Sequence, residues 1–426
     1  MKTLFFGSTG PQVQLLQLAL TRAGYTAVAA DGVFGRQTLG ALKDFQRRNA
    51  LSADGIAGPA THRALYPWYI GTVSHVLRAG DSFYRLARRY GTSVSAIAAA
   101  NPGADPLRLQ PGQTLRVPLP FRVVPTQIAY CSELVRFCCE GIAARYPNVK
   151  QGEIGKSAMG RPIRSLRIGR GQTRVAYNGA HHANEWITVP LLLKFTEELA
   201  SADAFQKEIF GKSAASLLDD AVLAVIPCVN PDGMDLVTGD LSSGADYAAA
   251  RMIAADYPGI AFPAGWKANI RGVDLNLQYP AGWDSAKEIK FAQGFVSPAP
   301  RDYVGTEPLS APESRAMFSF TLAYSPALTL SYHTQGSVIY WKYQDFDPPG
   351  ALDIGRRFSA VSSYLLEETP YVSGFAGYKD WFIQEFNRPG YTVEAGLGDN
   401  PLPLAVFDRI YGENLGILTL GLSLAP

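Results

Sequence analysis

Gly179-Ala180-His181-His182-Ala183-Asn184-Glu185-Trp186-Ile187 follows a strand-like run, Arg174-Val175-Ala176-Tyr177-Asn178, and precedes an apolar helix-like run from Val189 to Leu199. A His and a carboxylate three residues apart, at the end of a strand, can both turn toward one point. His333 ends a second strand-like run, Ala327-Leu328-Thr329-Leu330-Ser331-Tyr332, and is the candidate third donor. Two nitrogen or oxygen ligands plus a third from elsewhere, with one position open to water, make a catalytic zinc site. The chain has only five histidines (His62, His75, His181, His182 and His333), and three of them fall in these two runs. A hydrogen-bonded core or surface histidine is the competing reading for any one of them taken alone. Together they raise the expectation of one Zn²⁺ per chain, held by His182, Glu185 and His333.

Around these motifs, from 121 to 426, strands alternate with helices. Val222-Leu223-Ala224-Val225-Ile226-Pro227 reads as a buried strand, Ser314 to Leu322 and Ile354 to Leu366 as helices, and Tyr391-Thr392-Val393-Glu394 as a short strand. This pattern predicts a large α/β domain, a mixed sheet flanked by helices. Sites in such folds gather beyond the carboxyl ends of strands, where His182, Glu185, His333 and Glu394 all stand.

Two smaller segments precede it. Residues 1–68 read as a small all-α domain. Val13 to Leu20 and Thr38 to Asn49 are helical runs, and the turns Asp31-Gly32-Val33-Phe34-Gly35 and Asp54-Gly55-Ile56-Ala57-Gly58 echo one another. Each turn leads to a Thr near a helix start, Thr38 or Thr61, expected to cap it. Paired turns with Leu-Gln and Phe-Gln helices resemble the helical peptidoglycan-binding domain. Residues 72–118 read strand, helix, helix, strand. Gly80-Asp81-Ser82, Asn101-Pro102 and Leu109-Gln110-Pro111-Gly112-Gln113-Thr114-Leu115 resemble the α+β LysM domain, which binds N-acetylglucosamine-containing glycans. Ala79 stands where that family often has Pro. Pro118, Pro120 and Pro125 mark a linker into the third segment.

Length and charge bound the partners. A chain of 426 residues suggests two to four domains, and 47% hydrophobic residues suffice for a substantial core. A formal charge of +2 with no basic run excludes nucleic-acid binding through bulk electrostatics. No apolar run reaches membrane-spanning length. Gly7-Ser8-Thr9-Gly10-Pro11 interrupts the start before a signal-peptide apolar region forms. The expectation is therefore a cytoplasmic or forespore-associated chain that acts on wall material, or one that leaves by another route. The four cysteines, Cys131, Cys138, Cys139 and Cys228, lack Cys-x-x-Cys spacing and read as buried free thiols. Nothing in the sequence sets an oligomeric state.

The third segment resembles the M14 metallocarboxypeptidase family. The resemblance rests on His182-Ala183-Asn184-Glu185, Asn230-Pro231-Asp232-Gly233, Gly272-Val273-Asp274-Leu275-Asn276, Ser331-Tyr332-His333-Thr334-Gln335 and Gly390-Tyr391-Thr392-Val393-Glu394, in that order. It implies zinc on His182, Glu185 and His333, with His181 not a ligand, and Glu394 as general base. It implies a cation beside the metal for the developing oxyanion. Lys267 occupies the matching position in Trp266-Lys267-Ala268-Asn269-Ile270-Arg271, and Arg271 is the nearby alternative. Asn276 is implied in substrate binding. A mobile Tyr is implied near Tyr371, with Tyr378 the second choice. Lys379 matches the base of the pocket for the leaving residue's side chain, where it would favour a carboxylate such as that of meso-diaminopimelate.

The chain departs from the family at Leu277, where an Arg grips the substrate's terminal carboxylate. Losing that charge-assisted bond penalises trimming of a free C-terminus. With two wall-binding modules ahead of it, the segment resembles the bacterial γ-D-glutamyl-L-diamino acid endopeptidases. Hydrolysis of the amide between γ-D-glutamate and meso-diaminopimelate (or L-lysine) in peptidoglycan stems is the activity this implies, in sporulation or wall recycling. A carboxypeptidase releasing the diamino acid from wall tripeptides, with Arg271 or Lys379 replacing the absent Arg, is the alternative. An inactive wall-binding scaffold is the rival from another class.

Overall fold

A computed structural model describes residues 1–426 and divides into two compact units, Met1–Lys150 and Gln151–Pro426. The first begins with helices α1 (Pro11–Arg22), α2 (Arg36–Arg48) and α3 (Pro59–Ile70). It continues with β1 (Thr72–Val76), α4 (Phe83–Tyr90), α5 (Val94–Ala100) and β2 (Thr114–Pro118), β1 pairing antiparallel with β2. Leu77, Phe83, Leu86, Ile97, Leu115 and Val117 form the core of that α+β module. Helix α6 (Ser132–Arg145) closes the unit. Its buried Arg145 donates to the carbonyls of Gly71 and Leu119. The residues from 121 to 150, grouped with the large segment in the sequence reading, thus belong to the first compact unit. All four cysteines are buried thiols.

Two sequence expectations are corrected. Thr38 and Thr61 are not N-caps: Gly35 and Gly58 precede the helices without a side-chain cap. Each Thr sits at the third helical position and takes a hydrogen bond from a buried glutamine, Gln17 for Thr38 and Gln46 for Thr61. The helix expected from Ile354 to Leu366 ends at Ser362. Ser363 adopts a left-handed φ of 62°, and Leu365–Glu367 turns into an edge strand. No Gly announces that stop, so the apolar run conceals it.

The second unit holds an eight-stranded mixed sheet. Its strands are β3 (Lys150–Lys156), β4 (Pro162–Gly169), β5 (Thr173–Gly179), then, after a short hairpin of β6 (Glu208–Ile209) and β7 (Lys212–Ser213), β8 (Ala221–Ile226), β9 (Leu328–His333), β10 (Val338–Tyr340), β11 (Leu365–Glu367) and β12 (Gly390–Glu394). The spatial order is β11-β10-β12-β9-β5-β8-β4-β3. The centre, β12-β9-β5-β8, is parallel. Its strands are almost wholly buried, and β8 reads as a continuous apolar run, as parallel strands covered on both faces do.

Helices cover both faces. Along β5, Tyr177 faces α7 (Thr188–Ala204), its ring tilted 43° against Phe195, and its hydroxyl donates to Leu418 O of α15 (Phe407–Ser423). A Cβ on Gly421 would collide with that hydroxyl, so the close approach of α15 requires glycine there. The neighbouring Ala176 packs with Tyr324 on the other face, as strand alternation demands. That face carries a core of Ile226, Leu275, Tyr279, Met317, Tyr378 and Trp381. In parallel register His333 pairs with Glu394, and Gly179 with Tyr332. The carboxyl ends of β5, β9 and β12 therefore lie side by side.

Candidate metal centre

Beyond β5, Ala180 takes a left-handed φ of 50°. Its N–H donates to Thr188 Oγ1 and its carbonyl accepts from Asn230 N–H. That turn reverses the chain so that a short 3₁₀ segment, Ala183–Glu185, brings His182 and Glu185 back over the strand end. Asn230, from Asn230-Pro231-Asp232-Gly233, clamps the neighbourhood. Its Nδ2 donates to His181 O and Ala268 O, and its Oδ1 caps α9 (Pro231–Thr238) at Gly233 N–H.

His182, Glu185 and His333 converge. His182 Nδ1 lies 2.9 Å from Glu185 Oε1 and 3.2 Å from His333 Nδ1, and His333 Nδ1 lies 2.8 Å from Glu185 Oε2. All three are buried. His182 Nε2 stands 3.2 Å from Asp274 Oδ1. A carboxylate there holds the proton on Nε2 and leaves the Nδ1 lone pair for a cation. Ligand atoms around a tetrahedral zinc lie roughly 3.3 Å apart, close to the spacings seen. Two imidazoles and a carboxylate aimed at one point are a donor set that fits zinc.

The electrostatics agree. Burial opposes a charge on His182, yet Glu185 and Asp274 outweigh it and raise the imidazole's pKa to about 9. Burial likewise opposes ionisation of Glu185, but His182, Lys267 and His333 hold its carboxyl well below the usual range. The pocket stabilises positive charge where a cation would sit. His181 is different: fully buried, it meets Tyr279 Oη through Nε2 at 3.0 Å, and burial keeps it neutral.

The centre opens into a cavity of about 660 Å³. Glu394 lines it, and burial raises its pKa above the ordinary carboxylate value, with His333 acting in the opposite sense. Lys267 lines it too, Nζ 3.3 Å from Glu185 Oε1. Arg271 lies outside: it is exposed and pairs with Asp246 at 3.0 Å. Asn276 lines the cavity and accepts from Tyr378 N–H. Leu277 contributes an apolar wall.

Lys379 is nearly sealed, at 4% exposure. Its Nζ donates to Lys342 O at 2.6 Å and stands 2.6 Å from Asp380 Oδ1. Tyr378 is core, its hydroxyl 2.9 Å from Thr321 Oγ1. Tyr371 is 71% exposed in a 3₁₀ turn whose neighbours Pro370 and Ser373 line the cavity. Asp274, Lys290 and Arg301 are among the charged lining residues outside the sequence-derived site. Only Asp274 carried a signal, through its place in Gly272-Val273-Asp274-Leu275-Asn276.

The zinc carboxypeptidase family model matches residues 136–405, a putative peptidoglycan-binding domain matches 9–65, and a LysM domain matches 75–118. The chain is 40% identical over 306 residues to gamma-D-glutamyl-L-diamino acid endopeptidase 1 of Lysinibacillus sphaericus, covering 72% of this chain and 75% of that one. It is 38% identical over 276 residues to the uncharacterized protein YqgT of Bacillus subtilis, covering 64% and 72%. In fold it is similar to carboxypeptidase A from Helicoverpa armigera, with a TM-score of 0.51, 21% identity, and coverage of 76% of this chain and 78% of that one. The chain is a metallopeptidase of the M14 zinc carboxypeptidase family, with peptidoglycan-binding and LysM domains ahead of its peptidase domain.

Proposed function

We propose that this peptidase hydrolyses the amide between γ-D-glutamate and meso-diaminopimelate or L-lysine in peptidoglycan stem peptides. The observation that carries the reading is the pairing of a complete His182–Glu185–His333 donor set with an apolar Leu277 on the cavity wall. Such a site has the means to cleave an amide and lacks the Arg that would grip a free terminal carboxylate there. The named activity of the Lysinibacillus relative supports it.

Zinc, when bound by His182, Glu185 and His333, supplies Lewis-acid charge at the scissile carbonyl and acidifies water. The rest falls to side chains. Glu394, opposite His333 in register, takes a proton from the attacking water and hands it to the leaving nitrogen. Its raised pKa suits the second transfer, because a more basic carboxylate holds the proton until nitrogen needs it. Lys267 neutralises developing negative charge on the carbonyl oxygen, as a point charge rather than a bidentate fork. Asp274 holds the ring of His182 in place.

Mass spectrometry of digested stem peptides, alongside metal analysis, tests the reading. One zinc per chain and new diamino-acid amino ends on tetrapeptide stems are expected. Cleavage confined to tripeptides would favour the carboxypeptidase reading, which Lys379 at the cavity wall would have to serve. Glu394→Gln is expected to keep its zinc and lose roughly 10²–10⁴-fold in turnover. Wild-type turnover in that variant would remove Glu394 from the mechanism.

A further inference from the structure

Four cations line the cavity: Lys267, Lys290, Arg301 and Lys379. Three have their charge engaged. Lys267 faces Glu185, Lys379 faces Asp380, and Lys290 Nζ pairs with Asp302 Oδ1 at 2.7 Å. Arg301 meets the same Asp302 through Nε alone, at 2.5 Å, and neither of its Nη groups makes a hydrogen bond. One carboxylate thus serves two cations and leaves the trio net positive. Asp302 itself sits at a left-handed φ of 65°, and its N–H donates to Asp274 Oδ2. Strained turns that persist at a cavity wall point to a side chain being aimed. Here Asp274, which orients His182, also fixes the turn that carries Arg301.

The wall on which Arg301 stands follows from the backbone. Lys267 N–H and Ala268 N–H both donate to Pro300 O, so Arg301 neighbours Lys267. Lys379 belongs to α14 (Tyr378–Phe386), which packs beside β12, the strand that ends at Glu394. The residue that protonates the leaving nitrogen lies on the leaving side, so the amine component faces α14. The acyl component then faces Lys267 and Arg301. In a γ-linked D-glutamyl substrate the acyl side carries a free α-carboxylate, four bonds from the scissile carbonyl. Two parallel Nη–H donors match a carboxylate edge to edge.

We propose that Arg301, held through Nε by Asp302, anchors the free α-carboxylate of the γ-linked D-glutamyl residue and so selects the γ-linkage. The inference rests on the proposed endopeptidase activity and adds a specificity determinant on the acyl side.

The test compares two stem tetrapeptides, one with D-glutamate and one with its α-carboxamide, D-isoglutamine, on wild type, Arg301→Gln and Arg301→Lys. Wild type is expected to favour the acid. Arg301→Gln should lose roughly 10- to 100-fold in kcat/KM on the acid, mainly through KM, and change little on the amide. Arg301→Lys should recover part of the loss. Calorimetric Kd values in a Glu394→Gln background should move by the same factor, separating binding from turnover. Equal wild-type rates on acid and amide, or an equal loss on both in Arg301→Gln, would overturn the assignment. Wild type cleaving neither peptide would instead overturn the endopeptidase reading, and this inference with it.

Discussion

Asp274 organises more of the centre than any ligand does. It accepts from His182 Nε2, Asn276 N–H and Asp302 N–H, tying the metal site to both cavity walls. Removing such an outer partner typically costs 10- to 100-fold in metal affinity. Asp274→Ala is therefore expected to weaken zinc binding by about that factor in a chelator competition, with the fold retained. Unchanged affinity would mean that packing alone orients His182. The three donors were legible from sequence because His-x-x-Glu follows a strand and histidines are scarce. The choice between Lys267 and Arg271 was not, since a loop has no period from which to read direction. The structure turns one toward Glu185 and the other toward Asp246. The partner of Lys379 was also hidden, because adjacent helical residues do not ordinarily face each other, yet Asp380 reaches its ammonium.

The echo in the amino-terminal helices has a concrete cause at the level of elements. Gln17 of α1 donates to Asp31 Oδ1, Val33 O and Thr38 Oγ1, and accepts from Gly32 N–H. Gln46 of α2 repeats this with Asp54 Oδ1, Ile56 O, Thr61 Oγ1 and Gly55 N–H. Each buried amide staples an Asp-Gly turn to the helix that follows it. The repeat was legible as a pattern of letters. The caps were misassigned because a Thr near a helix start looks the same whether it caps or is itself bonded. Gln46→Leu would orphan Gly55 N–H and three acceptors, at a cost of roughly 1–3 kcal/mol. Faster hydrogen exchange across α2 and α3 would register it, and unchanged protection would contradict the staple. Backbone bonds from Val33 and Ile56, then the glutamine amides, lower the pKa values of Asp31 and Asp54. Their stabilisation is present above the unfolded Asp value and lost as pH falls through the lower folded value. Protection in these helices should therefore decline below about pH 4, and Gln46→Leu should flatten that decline.

At the scale of the whole molecule, the order of modules was the most legible feature, because each small domain carries short local signatures. The boundary was least legible. A run with Pro118, Pro120 and Pro125 reads as a linker, yet Arg145 ties the helix beyond it to Gly71 and Leu119. Two wall-binding modules on a peptidase raise the local concentration of its substrate, an effect worth as much as 10²–10⁴-fold for well-matched tethers. The benefit exists only when stem peptides are attached to glycan. Soluble N-acetylglucosamine oligosaccharides, competing for the LysM domain, should therefore slow release of stem peptides from whole wall. The same sugars should leave hydrolysis of free tetrapeptide unchanged. Turbidity loss of purified wall and chromatographic assay of the free peptide, with one protein preparation and one sugar series, measure the two arms. Equal inhibition in both would place the sugar in the catalytic cavity. Inhibition in neither would mean that the modules do not deliver this peptidase to its substrate.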